Sequence, residues 1–302
     1  MPKFNLKLYN FEKEGKGVEK DEKKPIGFLH VFILYFRNFF KMTIHNLSYF
    51  AVLLPYVTVL LSSVIIMLGE DAINAMITAE SFQTFNQSYP WVMILVNIYD
   101  FFTHSYIRMF AGLLLFIASV VCFGPISAGM AYAMRNTTRE EHVFLSDIFS
   151  VAWENRKQAI PLGLLDLGAL YAIAIYFFGD FSGMNIGYDM LMDFLKYFAL
   201  LIFVFYLVAR IYAYTIMVTF YMDLKDILKN AVILTYANLP RTLIVLATMF
   251  LVIYVNIILP LPSLLLVPLF DFSFVLLVSH YTCYKPIDKY MIKPAEENQE
   301  NE

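Results

Sequence analysis

Charge is spaced unevenly along this chain. Residues 42–69 contain no Asp, Glu, Lys or Arg, and neither do residues 109–134. Residues 158–179 hold a single charge, Asp166; residues 197–222 hold Arg210; residues 242–284 hold Asp271. A bilayer core of about 30 Å takes about 20 apolar residues wound as a helix, so each run predicts a span. The last run is too long for one helix. The "LPLP" at 259–262 divides it, because proline cannot continue the helical hydrogen-bond ladder. The pattern predicts spans at 47–69, 109–134, 158–179, 197–222, 242–259 and 263–284. The expected fold class is all-α: a polytopic membrane helical bundle with short cytoplasmic amphipathic helices.

Between the spans the periodicity changes. In "REEHVFLSDIFSVAWENRK" the apolar residues Val143, Phe144, Ile148, Val151 and Trp153 recur at helical spacing. Thr138 with Glu141 has the form of a capping box that would start this helix. "DLKDILKNAVIL" repeats the pattern with Leu224, Ile227, Leu228 and Ala231. Each connection therefore carries one apolar face, suited to sealing the end of the bundle or to coupling with a cytosolic partner. The coupling candidates are Arg139, Glu140, Glu141, Trp153, Lys225 and Lys229. The aromatic "IGFLHVFILYFRNFFKMTI", 26–44, with Arg37 and Lys41 inside it, fits a helix in the inner interface or an extension of the first span.

Composition agrees with a lipid environment. The chain is 60% hydrophobic and 16% charged, with a mean hydropathy of +0.63, against about one quarter charged for a soluble domain. The basic residues set an orientation. Residues 1–46 carry nine Lys and Arg, loop 135–157 carries four, loop 223–241 three, and the segment after 284 three. The other side has Arg108 and Lys196. Cytoplasmic loops collect Lys and Arg, so both termini are expected in the cytoplasm. The organisation is a charged tail (1–25), a membrane domain (26–284) and a second tail (285–302). The charged opening "FEKEGKGVEKDEKK" lacks the early apolar core of a cleavable signal peptide.

Candidate chemistry is sparse. Cys122 and Cys283 both fall in predicted spans, too few for a disulfide framework or a cysteine-rich zinc site. The five histidines are scattered, and neither H-E-x-x-H nor G-x-x-x-x-G-K-[ST] nor G-x-S-x-G occurs. No cofactor, no metal and no nucleic-acid partner are expected. The sequons at Asn86 and Asn136 read as chance, the second lying on the cytoplasmic side. Gly124, Ser127, Ala128, Gly129, Ala131 and Ala133 form a face of small residues that suits close helix packing, and Pro125 is expected to kink that helix. The intramembrane charges are the most informative positions, since each costs about 2.5–3.5 kcal/mol at mid-bilayer on insertion scales. At 1.5 Å per residue, Arg210 lies about 20 Å from the inner end of its span, Asp166 about 10 Å from the inner end of its own, and Asp271 about 12 Å from the outer end. Arg210 can reach either acid, as a structural lock or as part of a polar pathway.

The stretches "GPISAGMAYAMRNTTREEHVFLSDIF…WENRKQ", "VTFYMDLKDILKNAVILTYANLPRTL" and "FRNFFKMTIHNLSYFAVLLPYVT" resemble the YesL-like family of bacterial membrane proteins. That resemblance implies a polytopic membrane protein without an agreed activity or transferable catalytic residues. Family members are often encoded beside carbohydrate uptake systems, which implies an accessory role. Here about sixty residues, 59–123, intervene where the family pattern runs from "LPYVT" almost directly into "GPISAG". They supply much of two spans and an outer loop, 70–108, suited to covering the outer helix ends.

Three readings of function follow. The first is a non-catalytic accessory or regulatory partner of a carbohydrate uptake system, with the lipid bilayer, a membrane transport complex or a cytosolic protein as partners. The second is a small-solute transporter or channel in its own right, which lacks the internal repeat that transporter halves often show. The third is a membrane-embedded enzyme, for which Asp166, Arg210 and Asp271 are too few to form a catalytic constellation. The first is the expectation, and the protein is expected not to be an enzyme.

Overall fold

The computed structural model describes residues 28–67, 104–178 and 189–293, with residues 94, 97, 98, 101 and 102; side chains are described for all of these but 28–29, 61–67, 177–178 and 189–193. The tail 1–25, the last nine residues and most of the outer loop 70–108, Asn86 included, lie outside the described residues. Among the described residues all regular structure is helical and no strand occurs. The order is α1 (Phe28–Arg37), α2 (Phe39–Met67), α3 (Tyr106–Thr138), α4 (Leu145–Glu154), α5 (Arg156–Phe178), α6 (Asp189–Met217), α7 (Leu224–Ala237), α8 (Leu239–Ile258) and α9 (Pro260–Leu266). A π turn, Val267–Asp271, joins α9 to α10 (Phe272–Ile287), and a second, Asp288–Ile292, follows it. Among the described residues, six helical stretches are long and apolar enough to cross a membrane: Phe39–Leu60, Tyr106–Thr138, Arg156–Tyr176, Phe194–Met217, Leu239–Ile258 and Pro260–Ile292. The fold is thus an all-α, polytopic bundle.

The boundaries have local causes. The first spanning helix begins at Phe39, eight residues before the expected start at 47, so the aromatic segment 26–44 is divided rather than continuous. Asn38 makes the division: its Nδ2 donates to Leu34 O (3.0 Å), closing α1. The fourth span ends at Met217 rather than 222. Arg135 of α3 explains the stop, because its Nη1 donates to Val218 O (2.8 Å) and Thr219 Oγ1 (3.0 Å), satisfying groups that a helix end leaves without partners. Gln158 Nε2 likewise takes Met222 O (2.9 Å). The capping box expected at Thr138 is absent. Thr138 belongs to the last turn of α3, its hydroxyl donating to Met134 O (2.7 Å). Glu140 then adopts a left-handed conformation (φ 63°), in the position where glycine commonly ends a helix. The next helix starts at Leu145, where the Asp147 carboxylate accepts the Phe144 N–H (2.9 Å). The break at "LPLP" is present, with Leu259 between α8 and α9. Helix α3 runs through Pro125 as one element of 33 residues.

The last spanning segment departs from a plain α-helix at Val267–Asp271, and a side chain from α2 fills the gap. Asn46 is fully buried; its Nδ2 donates to Val267 O (2.7 Å) and its Oδ1 accepts the Ser273 N–H (2.7 Å). One amide thus replaces ladder hydrogen bonds that the wide turn gives up. Tyr35 closes the same turn from α1. Its hydroxyl shares a hydrogen bond with Ser273 Oγ (2.9 Å), and its ring packs edge-on against Phe270 and Phe274.

Helix α10 is common to two packed regions. Cys283 and Ile287 join Tyr212, Ile216 and Ile227 of α6 and α7; Phe274, Leu277 and Val278 join Leu34, Met130 and Met134 of α1 and α3. Outward faces are strongly apolar, with Phe250, Ile257 and Leu265 each more than half exposed. Apolar surface on that scale is what a lipid-facing bundle presents.

Candidate functional site

Asp166 of α5 is the centre of the intramembrane polar cluster. Its carboxylate accepts from three side chains of α6: Tyr206 Oη to Oδ1 (2.5 Å), Tyr214 Oη to Oδ2 (2.8 Å) and Arg210, whose Nε and Nη2 stand 3.2 and 3.0 Å from Oδ2. Tyr206, Arg210 and Tyr214 are four residues apart, and residues at that spacing share a helix face. Arg210 Nη2 also donates to Tyr49 Oη of α2 (3.3 Å), which shares a hydrogen bond with Ser127 Oγ of α3 (3.2 Å). The guanidinium lies 5.5 Å from the Phe123 ring centroid and 5.6 Å from that of Tyr214. The cluster therefore ties together α2, α3, α5 and α6. The Asp166 side chain is 4% exposed and that of Arg210 is 19% exposed.

Of the two acids within reach of Arg210, the ion pair forms with Asp166. Asp271, in the π turn, instead accepts from Asn256 Nδ2 of α8 (2.7 Å), and that amide also donates to Val252 O (2.9 Å). A carboxylate accepts about four hydrogen bonds. Asp166 receives Tyr206 at Oδ1 and both Tyr214 and Arg210 at Oδ2, so most of that capacity is spent binding α5 to α6. Beside it, a cavity of about 20 Å³ is lined by Tyr49, Ser127, Arg210, Tyr214 and His280 among others, room for about one water. His280 Nδ1 lies 2.8 Å from Leu276 O, and its Nε2 has no hydrogen-bond partner among the described residues. Among the described residues no three His, Cys, Asp or Glu side chains gather as a metal site.

The small-residue positions of α3 face neighbouring backbones. A Cβ added to Gly124 would stand 1.9 Å from Ala159 O of α5, and one on Gly163 would stand 2.5 Å from Gly124 Cα. One on Gly129 would stand 2.4 Å from Ile148 O of α4. Ala128 is fully buried, and Pro125 sits within the same helix.

At the end where Arg135 meets Val218, the polar connectors are arranged as follows. Arg139 pairs with Glu141 (2.9 Å), while Glu140 pairs with Arg37 (3.3 Å) and lies 3.4 Å from His30 Nε2. In α4 the buried face is Val143 of the preceding segment, Ile148 and Ala152. Phe144 and Trp153, expected on that face, are instead exposed, and Arg156 covers the Trp153 ring at 4.2 Å. In α7 the buried residues are Ile227, Ala231, Leu234 and Thr235; Lys225 and Lys229 point outward and form no ion pair among the described residues.

The residues that sequence reasoning missed are Tyr206 and Tyr214, Tyr49, Asn46 and Gly163. The spacing Tyr206–Arg210–Tyr214 is a legible signal, a polar stripe down one face of a span. Asn46 carries none, since a polar residue near a helix start reads as a boundary. Comparison with protein-family models, with curated proteins and with solved structures gives no match. The likeness to the YesL-like family rests on the quoted stretches alone.

Proposed function

We propose that this chain is a non-catalytic integral membrane protein acting as an accessory or regulatory partner of a carbohydrate uptake system, with both termini in the cytoplasm. The observation that supports the non-catalytic part is Asp166, whose carboxylate is tied to three side chains of α6, Tyr206, Arg210 and Tyr214. A transport or catalytic carboxylate must exchange partners, and this one holds helices. The partner role is supported by the exposed side chains of the connectors, Phe149 and Trp153 on α4 with Lys225 and Lys229 on α7. The carbohydrate part is drawn from the family resemblance.

Crosslinking in native membranes through a photoreactive group at Phe149 or Lys229 tests the reading. It expects one defined membrane transport component to be captured, and capture to fall when Lys225 and Lys229 are both changed to Glu. Recovery of lipid alone, with growth on every sugar unchanged in the deletion strain, overturns it. The second reading, a transporter, is favoured by the small cavity beside Arg210 and the partial exposure of its guanidinium. Solute flux in liposomes containing only this protein, abolished by Arg210→Ala, would establish that reading instead.

A further inference from the structure

A second cavity, of about 290 Å³, opens at the basic end of the bundle between α2 and the segment entering α4. Its lining is Lys41, Ile44, His45, Val143, Phe144, Leu145 and Ser146. Four of these seven side chains are apolar, and Ile44, Phe144 and Leu145 are also exposed on the outside of the molecule. Lys41 is half-buried and forms no ion pair among the described residues. His45 is 3% exposed, and its Nδ1 has no hydrogen-bond partner among the described residues. The acids nearby are engaged elsewhere: Glu140 with Arg37, and Asp147 with the Phe144 N–H and Ser146 Oγ. The cavity thus has a cationic rim without an internal counter-ion and a greasy wall continuous with an exposed apolar surface.

Its level in the membrane is marked independently. Lys41 belongs to the first turn of a spanning helix. The exposed Trp153, with Arg156 over its ring, has the amphipathic character of the aromatic belts found at headgroup depth. We propose that this cavity is a binding site for one anionic phospholipid, its phosphate against Lys41 and its acyl chain against Ile44, Val143, Phe144 and Leu145. Basic pockets at the cytoplasmic ends of spanning helices take anionic headgroups by this combination of charge and apolar contact. The proposal is independent of any uptake partner.

Native mass spectrometry of the full chain in detergent tests it, with phosphatidylglycerol and phosphatidylcholine added at equal concentration. One phosphatidylglycerol is expected to be retained in preference to phosphatidylcholine. Lys41→Gln should lower its occupancy about fivefold, the effect of one basic residue near a charged headgroup. Lys41→Arg should keep the preference, and Leu145→Trp, which fills the cavity from an exposed position, should lower retention of both lipids. Lys157→Gln removes the same charge outside the cavity and should leave retention of both lipids unchanged. Equal retention of the two lipids, an equal effect of Lys157→Gln, or displacement of the lipid by inorganic phosphate overturns the proposal, the last showing a site for a free anion.

Discussion

Ser273 gives its backbone N–H to the side chain of Asn46, a residue 227 positions earlier in the chain. The same amide returns a hydrogen to Val267 O, so one side chain of α2 spans the π turn from end to end. Asn46→Leu removes both bonds and strands buried backbone groups, a loss of about 1–3 kcal/mol per group in mutational series. Asn46→Asp keeps the acceptor for Ser273 but loses the donor to Val267 and, when ionised, buries an unpaired carboxylate. Thermal unfolding in detergent should therefore rank the wild type above both variants, with Asn46→Asp losing further ground as the pH rises. Equal melting of all three would show that the π turn stands without the amide.

The ion pair of α5 and α6 predicts an asymmetry between single and double variants. Removing one member of a buried pair leaves the other uncompensated, typically about 3–5 kcal/mol. Arg210→Ala and Asp166→Ala should each be strongly destabilised. Asp166→Asn combined with Arg210→Met leaves no buried charge and should be more stable than either. Arg210→Lys should not rescue, because a point charge cannot reach both Asp166 and Tyr49 with the geometry of the guanidinium fork. Denaturation midpoints of the four proteins decide the matter.

Glycine positions separate by what stands opposite them. Gly124→Ala drives a methyl into the Ala159 carbonyl of α5, and Gly163→Ala drives one into Gly124. Backbone cannot step aside as a flexible side chain can, so both should lower folded yield, with a stability loss at or above the usual 1–3 kcal/mol of overpacking, roughly. Gly168 lies on the same helix as Gly163 with nothing within 4 Å of an added Cβ. Gly168→Ala should leave stability unchanged or raise it slightly, through the better helix propensity of alanine. Size-exclusion profiles and melting temperatures of the three variants check this.

Tyr35 makes the protein sensitive to alkali. Burial pushes its phenol up from the ordinary value near 10 to about 12; the hydrogen bond with Ser273 pulls the other way, and the Asp271 carboxylate adds to the rise. The unfolded chain releases this proton near pH 10, whereas the folded chain holds it to about pH 12. The folded state binds more protons in that window, so stability is intact below pH 10 and falls as the pH rises from 10 towards 12. Tyr35→Phe should flatten that part of the stability–pH curve. An unchanged slope in the variant would assign the alkaline loss to another tyrosine.

What could be read in the chain depended on how far each signal extends. The six crossing stretches were legible because a bilayer admits only long charge-free runs, and the division at Leu259 was legible because proline punctuates it. Arg210 and Asp166 stood out as isolated charges, but their pairing did not, since Asp271 lay within equal reach by length alone. The choice came from a lateral fact, the face that α5 turns to α6. The helix expected from Thr138 began at Leu145 instead, because a Thr followed three positions later by Glu is a short pattern, and the α3 ladder outran it. Trp153 was misplaced for a related reason: its helix is ten residues long, and small Ala152 takes the inward position that its size did not advertise. Asn46 was invisible because its partners are backbone groups of a remote segment.

The widened turn at Val267–Asp271 has a consequence for every residue after it. A π turn accommodates one extra residue, and one residue of an α-helix corresponds to about 100° of rotation about the axis. The inward positions of Leu277, His280, Cys283 and Ile287 therefore depend on that extra step, much as the teeth of a key depend on how far it has been turned. Deleting one residue within the turn would restore a regular ladder and release Asn46 from its task. The same deletion would swing His280 and Cys283 towards the hydrocarbon and bring a different set of side chains to face Arg210.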